Sequence, residues 1–563
     1  MHLTDLLATL PSELRDYVRE LETRAATLER HTTTLEQQRA ALEQQATALE
    51  QQATALEQQA TALEQQATAL ELQTSALQAR NQFLEEQFRL AQLKRFAPSS
   101  EKFGAQGCLF NEAEQDVATL ARDAEEEADK GPKSAGKKRG RKPLPAHLPR
   151  QRVEHDLPES EKVCRCCQGA LHRMGEETSE QLDIVPATVQ VLQHVRFKYA
   201  CRQCDRHGES SQIITSPMPP QPMPGSIASP ATVATILTAK YADGLPMYRL
   251  HEVLLRGEVD VARTTLSQWA IKSGVLFAPL YEAMRRVLLA CPVIHGDETT
   301  VQVLKEDGRR AQNQSYMWVY RTAQDSEQPV VLFKYRPGRG HEHPERFLAG
   351  FEGAVMTDGY AAWRMLKGIK HLGCMAHARR YFDEALKAQK KPTGRAREAL
   401  RFIAKLYHIE KLARAKPPDG MTVIEHAYRL RQVLSRPILD NLHAWLVKNK
   451  SAVMPQSLIG KAINYALGQW RYLYRYIDDG RFSIDNNLIE RDIRPFTTGR
   501  KAWLFSNSVA GADASAVIYS LMLTCRACDV EPYAYLRHVL TELPRRQPGD
   551  DVTDLLPFNF NKN

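Results

Sequence analysis

Leucine recurs at every seventh residue over the first part of the chain, from Leu14 to Leu84. The middle of this stretch is a near-perfect repeat of Ala-Thr-Ala-Leu-Glu-Gln-Gln. Leucine at each d position, with alanine at a positions of the central repeats, is typical of a left-handed coiled coil. Because a helix cannot bury such a seam alone, the repeat predicts a homodimer, and Asn81 at an a position favours two strands in register. A passive spacer created by repeat expansion is the alternative.

The rest of the composition sets broad limits. A chain of 563 residues is too long for one hydrophobic core, so several domains are expected. The net charge of +8 is unevenly spread, with Glu and Gln early and Arg and Lys later, which is compatible with nucleic-acid binding. No apolar run is long enough for a bilayer and no secretory signal is evident, so we expect a cytoplasmic protein without a membrane partner.

Four cysteines form two Cys-x-x-Cys pairs, separated by a strand-like stretch at Thr188–Tyr199. They are Cys164, Cys167, Cys201 and Cys204. In a cytosolic chain, this pattern predicts a structural Zn²⁺ site with four thiolate ligands and no open position for catalysis. Cys166 lies inside the first pair, so the ligand assignment keeps one ambiguity.

A stretch rich in Gly, Pro and Lys precedes these cysteines and cannot form a core. It contains the cations Lys138, Arg139 and Arg141. We predict a flexible linker with DNA phosphate contacts, and an extended basic hook in the minor groove is the alternative.

Two short helices are predicted after the zinc module, at Tyr248–Leu255 and Arg263–Ser273. On the second, Leu266, Trp269 and Ala270 would face inward. The opposite face would carry Thr265, Gln268 and Lys272. This pattern suits the recognition helix of a helix-turn-helix, and it equally suits any amphipathic hairpin.

The remaining pattern predicts a mixed α/β sheet that brings acids together at strand ends. An apolar run from Pro292 delivers Asp297, and two further strand-like runs follow it. A helix at His343–Ala349 and a fourth run then deliver Asp358. Carboxylates from neighbouring strands can share divalent cations, which suits phosphoryl transfer by two metals. The best candidate for a third acid is Glu490, on a short helix that Asp485 or an adjacent Asn would cap.

Five runs in this region resemble a known family. They are GDET, TDGYAAW, GCMAHARRYF, IDNNLIERDIRPF and GRKAWLFSNS. Their order and spacing resemble those of the insertion-sequence 66 family of DDE transposases, over roughly Arg95 to Leu543. The resemblance implies a ribonuclease-H-like core whose catalytic residues are Asp297, Asp358 and Glu490, with Mg²⁺ or Mn²⁺ as cofactor.

The implied function is a transposase that cuts the ends of its own insertion sequence and joins them to target DNA. Its partners would be double-stranded DNA, a second copy of the chain and possible accessory proteins of the same element, at the nucleoid of a prokaryote. A non-enzymatic, dimeric, zinc-containing DNA-binding protein and a plain metal-dependent nuclease are the alternatives.

Further side chains are assigned around this core. Cys374 and His377 form a Cys-x-x-His pair that would shape the site or meet DNA, while a buried cysteine with a hydrogen-bonded histidine is the plain alternative. Four cations are expected to bind DNA phosphates beside Glu490: Arg491, Arg494, Arg500 and Lys501.

The predicted fold is multidomain α+β. Its segments are a coiled coil (1–94), a basic linker (95–150), a zinc module (151–216), a helix-turn-helix region (217–290), a first core part (291–382), a helical insertion (383–477), a second core part (478–510) and a C-terminal helical tail (511–563).

Overall fold

The computed structural model describes residues 11–96, 152, 189–199, 214–389 and 394–562. The chain divides into two compact units. The first comprises Met1–Ala97 with the short stretches Lys387–Lys390 and Val453–Gly460, and the second comprises the remainder.

The first unit is built on one uninterrupted helix, α1 (Ser12–Phe96). At about 1.5 Å per residue, its 85 residues extend over about 130 Å. The helix predicted from the leucine repeat is therefore confirmed. The heptad leucines are 45–67% exposed in the single chain, so their seam is left for a partner to cover.

A two-residue ribbon is the first sheet of the second unit. It pairs β1 (Lys198–Tyr199) antiparallel with β2 (Ile214–Thr215). The strand predicted over Thr188–Tyr199 is correct only at its end, because residues 189–197 take no regular secondary structure. Val191 is 92% exposed, so this alternating pattern has no packed face to stabilise it as a strand. The four predicted zinc ligands lie outside the described residues.

The main sheet is mixed, as predicted. Its strands are β3 (Val293–Lys305), β4 (Gln314–Thr322), β5 (Val331–Arg336), β6 (Ala354–Thr357), β7 (Lys370–Gly373) and β8 (Ser506–Ser508). The order is β5-β4-β3-β6-β7, with β8 pairing β3. Strands β3, β4 and β5 run antiparallel, and β3, β6 and β7 run parallel. The helix α6 (Glu342–Phe347) connects β5 to β6, close to where it was predicted.

Four helices precede the sheet: α2 (Pro230–Tyr241), α3 (Met247–Arg256), α4 (Arg263–Leu276) and α5 (Ala278–Ala290). The two helices predicted in this region are confirmed as α3 and α4. On α4, Leu266, Trp269 and Ala270 are buried, as the amphipathic pattern predicted. These helices share one hydrophobic core with the sheet.

A mostly helical stretch, which includes the strand β7, separates β6 from the helix that carries Glu490. Its helices are α7 (Ala361–Arg364), α8 (Met375–Lys387), α9 (Arg395–Ala413), α10 (Val423–Leu430), a π-helical turn (Arg431–Ser435), α11 (Arg436–Lys450), α12 (Leu458–Gly468), α13 (Trp470–Tyr474) and a 3₁₀ turn (Arg475–Asp478). Inside it, buried Arg431 pairs with Glu410 at 2.7 Å. The same guanidinium donates to the carbonyls of Tyr476 and Phe482, so the buried charge is fully partnered.

The chain closes with α14 (Asn487–Trp503), α15 (Val509–Ala527), α16 (Pro532–Glu542) and the 3₁₀ turns Leu543–Arg545, Thr553–Leu555 and Pro557–Lys562. Helix α15 covers the edge strand β5 through hydroxyl groups. Ser520 accepts the backbone N–H of Phe333, and Thr524 accepts that of Val331. These contacts satisfy backbone groups that an edge strand would otherwise expose. Among the described helices, none is both long and apolar enough to cross a bilayer.

Gly296, next to Asp297, tests how tightly this part of the sheet is packed. A Cβ added there would lie 2.5 Å from the ring of Trp363, which is fully buried. We therefore expect Gly296→Ala to lower the free energy of unfolding by about 1–3 kcal/mol, measured by denaturant titration.

Gly468→Ala is the matched control, because no heavy atom lies within 4 Å of its ideal Cβ. Its free energy of unfolding should differ from that of the unmodified protein by less than about 0.5 kcal/mol. Equal stability of the two variants would contradict the close packing at Gly296.

Candidate catalytic site

The first two acids lie side by side on neighbouring strands. The parallel register of β3 and β6 pairs His295 with Met356, and its continuation places Asp297 level with Asp358. Adjacent strands are about 4.8 Å apart. Asp358 directly follows β6, as predicted, whereas Asp297 lies within the thirteen-residue strand β3 and not at its end. The prediction that both acids lie at strand ends is therefore wrong for Asp297, because β3 continues past this residue and pairs with β4.

The turn after β6 holds Asp358 in a defined conformation. Its Oδ1 accepts the backbone N–H of Tyr360 at 2.8 Å, and its carbonyl accepts the hydroxyl of Tyr465 on α12 at 2.8 Å. Gly359 adopts φ +98°, which other residues rarely do, and the side chain of Gln469 packs against it. The helical stretch therefore supports the second acid directly.

Asn486 connects the third acid to the strand that carries the first. It precedes α14 and is fully buried. Its Oδ1 lies 2.9 Å from Nδ1 of His295, and its Nδ2 donates to the carbonyl of Gly296 at 3.1 Å. Of the two predicted capping residues, Asp485 accepts the N–H of Asn487, the first residue of α14, at 3.1 Å, while the Asn486 side chain makes no cap bond. Asn486 therefore fixes the start of α14 against β3, and with it the position of Glu490 one turn later.

Glu490 faces two groups of α8. Its Oε1 lies 3.7 Å from Nδ1 of His377, and its Oε2 lies 3.6 Å from the guanidinium of Arg380. Its side chain is only 10% exposed. Neither Oε1 of Glu490 nor Nδ1 of His377 has a hydrogen-bond partner.

The three acids interact electrostatically. Burial raises the pKa of Asp297 well above its usual range, and the charges of Glu298, Asp358 and Glu490 raise it further. Burial also raises the pKa of Glu490 to about 7, with Asp485 and Asp358 adding to the rise and Arg380 opposing it. Burial lowers the pKa of His377 to about 4, so its ring is neutral at pH 7.

Glu298 is an acid of the same cluster that the sequence analysis did not assign. Its carboxylate accepts the indole N–H of Trp363 at 2.8 Å and the Nε–H of Arg339 at 2.8 Å. The guanidinium of Arg339 also stacks on the ring of Tyr360, 3.6 Å from its centroid. Glu298 is therefore already partnered, although its charge still raises the pKa of Asp297. The only sequence signal was its position beside Asp297.

Cys374 and His377 lie beside Glu490. Cys374 directly follows β7, as predicted, and His377 lies in the first turn of α8. Cys374 is buried, and its Sγ accepts the backbone N–H of Asn486 at 3.2 Å. One ligand atom from each of Cys374, His377 and Glu490 lies within 4.8 Å of the others.

The predicted DNA contacts fall into two groups. On α4, Gln268 and Lys272 are exposed and Thr265 is partly exposed, on the face opposite the core. Lys138, Arg139 and Arg141 lie outside the described residues.

The four cations of α14 are not all beside Glu490. Arg491 is exposed and Arg494 partly exposed within the next turn, but Arg500 follows Glu490 by ten residues, about 15 Å along the helix. Its guanidinium donates to Oγ1 of Thr299 at 3.2 Å and of Thr300 at 2.8 Å. The expectation that Arg500 and Lys501 lie beside Glu490 is therefore wrong, because α14 is a long continuous helix.

Comparison with known proteins gives four family matches. The model of the Transposase IS66 family matches residues 225–514, more than half of the chain. The zinc-finger binding domain of transposase IS66 matches 161–205, a range that includes all four Cys-x-x-Cys cysteines. The IS66 C-terminal element matches 520–558, and the Transposase C of IS166 homeodomain matches 83–153.

Similar full-length relatives occur in Sinorhizobium fredii. The chain is 33% identical to uncharacterized protein y4jD over 433 residues, which covers 74% of this chain and 81% of the relative. It is 31% identical to uncharacterized protein y4qI over 467 residues, covering 80% and 83%. The similarity therefore includes most of each chain.

The raised pKa of Glu490 predicts a pH-dependent stability. Without divalent cations, folding favours the protonated carboxyl, so stability falls as pH rises from about 4.5, the unfolded value, through about 7. We expect Glu490→Gln to be more stable than the unmodified protein by on the order of 2 kcal/mol at pH 8 and equally stable near pH 4. Denaturant titration from pH 4 to pH 8 measures the difference in free energy of unfolding between the two proteins. A difference that does not change with pH would contradict the raised pKa of Glu490.

Proposed function

We propose, since the chain belongs to the transposase IS66 family, that it cleaves the ends of its own insertion sequence and joins them to target DNA. The observation that carries this proposal is the grouping of Asp297, Asp358 and Glu490. Asp297 and Asp358 each lie two residues beyond His295 and Met356, which pair in the parallel register of β3 and β6, and the charge of Glu490 raises the pKa of Asp297. Such a group of acids suits DNA strand cleavage and transfer.

The sheet supports a ribonuclease-H-like core. Its central strand β3 has the antiparallel pair β4 and β5 on one side and the parallel pair β6 and β7 on the other. The acids lie on β3 and after β6, with the third on a helix fastened to β3 by Asn486. The long distance in sequence between the second and third acids is taken up by helices α8–α13.

The donor groups fit a divalent cation. The carboxylates repel one another in a partly buried site, and Oε1 of Glu490 lacks a hydrogen-bond partner. A bound cation would reduce the repulsion and give this oxygen a partner. We assign Asp297, Asp358 and Glu490 as the residues that would hold Mg²⁺ or Mn²⁺, oxygen ligands that suit these hard ions. When bound, two such ions would supply activation of the attacking oxygen and stabilisation of the leaving oxygen.

The residues around the acids position them. Tyr465 and Gln469 hold the turn of Asp358, and Asn486 holds the start of α14. Arg380 keeps a cation 3.6 Å from Glu490 before any metal binds. Arg339 pairs with Glu298 and so offsets part of the charge that this fourth acid adds beside Asp297.

DNA recognition is assigned to three other parts of the chain. The polar face of α4, with Thr265, Gln268 and Lys272, is accessible for a helix-turn-helix contact. The zinc-finger region and the basic linker would add contacts to the element ends, with Zn²⁺ holding the finger together. The coiled coil would pair two chains so that both ends are processed in one complex, at the nucleoid and with or without accessory proteins of the element.

Asp297→Asn tests the catalytic assignment. The isosteric amide keeps the shape of the site and removes one ligand charge, so we expect unchanged binding of DNA ends. We expect Mg²⁺-dependent cleavage and strand transfer to fall about a thousandfold or more. The measurement uses the full chain with DNA carrying the ends of its own element, and separates nicked from joined products on gels.

Three other outcomes have distinct meanings. Full activity of Asp297→Asn would remove this residue from the site. Cleavage without joining by the unmodified protein would indicate a plain nuclease. End binding with neither product would indicate a non-enzymatic DNA-binding protein.

The coiled coil predicts a dimer that depends on its leucines. We expect replacement of Leu42, Leu49 and Leu56 by Lys to shift the chain from dimer to monomer, because charges at d positions cannot be buried in the seam. Light scattering coupled to gel filtration measures the mass.

Replacement of Gln44, Gln51 and Gln58 by Lys adds the same charge at the outward f positions. This control should remain dimeric. A monomeric mass for the unmodified protein at micromolar concentration would show that the repeat is a spacer.

A further inference from the structure

Three potential metal ligands from separate elements converge beside the acids. Cys374 follows β7, His377 lies in the first turn of α8, and Glu490 lies on α14. One ligand atom from each lies within 4.8 Å of the other two. The Cys-x-x-His spacing explains part of this geometry, since residues three apart at the start of a helix face the same side.

Two of these ligand atoms are buried and unsatisfied. Nδ1 of His377 and Oε1 of Glu490 have no hydrogen-bond partner, although they lie 3.7 Å apart. That separation is too long for a hydrogen bond between them. Buried polar atoms are nearly always satisfied, so a facing pair of unsatisfied atoms indicates room for an occupant that bonds to both.

We propose that Cys374, His377 and Glu490 bind a thiophilic divalent cation such as Zn²⁺, at a site separate from the zinc finger. A thiolate, an imidazole and a carboxylate together are ligands that Zn²⁺ prefers, whereas Mg²⁺ prefers oxygen alone. Tetrahedral Zn²⁺ requires ligand atoms about 3.5 Å apart, so the present group needs to contract by about 1 Å. Three protein ligands leave a fourth position for water.

The sulfur is protonated until a cation binds. Burial and the charges of Asp485 and Glu490 raise the pKa of the Cys374 thiol well above its usual range, and the backbone N–H groups of Asn486 and His377, which donate to Sγ, oppose that rise. Binding breaks the S–H bond, forms a sulfur–zinc bond and releases the proton to solvent. Arg380, whose charge opposes a cation, has a half-exposed side chain and can turn into solvent.

The site has a consequence for catalysis, and this second step rests on the proposed function. Glu490 belongs both to this group and to the acids proposed to hold Mg²⁺. One carboxylate held by Zn²⁺ on the His377 side is withdrawn from Asp297 and Asp358. Zn²⁺ therefore inhibits Mg²⁺-dependent cleavage, and Cys374 and His377 determine the concentration at which it does so.

The experiment measures Zn²⁺ uptake and inhibition separately. Full-length protein with its finger already loaded is titrated with Zn²⁺ against a chelating dye. We expect the unmodified protein to bind one more Zn²⁺ per chain than Cys374→Ser or His377→Ala. Cys291→Ser is the control, since Cys291 is a partly exposed cysteine at the end of α5, outside this group, and should bind as the unmodified protein does.

The same proteins are then assayed for cleavage, each relative to its own rate without Zn²⁺. We expect the Zn²⁺ concentration that halves the rate to be at least about tenfold higher in the two site variants. Equal uptake by all four proteins would overturn the site. Different uptake with unchanged inhibition would overturn the withdrawal of Glu490. Different uptake without cleavage by any of the proteins would leave the cation site standing and refute the proposed function.

Discussion

The repulsion between three carboxylates is the constraint on which the active region depends. Asp297, Asp358 and Glu490 would separate if their attachments allowed it, since the charges of Asp358 and Glu490 raise the pKa of Asp297 and the charge of Asp358 raises the pKa of Glu490. The backbone hydrogen bonds between β3 and β6 hold the first two in register. Asn486 holds the third by bonding to β3 within two residues of Asp297. The energy of the surrounding fold therefore keeps together charges that favour a bound cation.

Two other acids of this region are paired with arginine side chains. Glu298 pairs with Arg339, and Asp492, on α14, pairs with the buried Arg321 of β4. The second pair also fastens α14 to the sheet two residues beyond Glu490. A buried pair of this kind costs desolvation and adds little net stability, but losing one partner would leave an uncompensated charge. These two acids are held by ion pairs with arginine, whereas Oε1 of Glu490 has no hydrogen-bond partner.

Much of this arrangement could be predicted from sequence, and the rest depends on long-range contacts. The heptad leucines and the alternation of strands and helices are local patterns, and α1 and the presence of a mixed sheet follow from them, whereas the order of the strands does not. The hydrogen bonds from Asn486 to His295 and Gly296 join residues about 190 positions apart, which no local pattern encodes. The position of Arg500 was mistaken because Glu490 was expected on a short helix, whereas α14 continues through Pro495 to Trp503. At residues 189–197 apolar and polar residues alternate as in a strand, but these residues are exposed and form no strand.

The proposed role of Glu490 places two requirements on its side chain. It must be held close to Asp297, which burial and Asn486 achieve, and it must be free to bind a cation, which requires that no hydrogen bond saturate it. His377 is compatible with both requirements, because its neutral ring packs beside Oε1 of Glu490 without forming a hydrogen bond to it. A residue that bonded firmly to Glu490 would stabilise the fold and compete with the metal. In the proposed site, Oε1 of Glu490 stays available to a cation, and the fold tolerates a buried oxygen without a hydrogen bond.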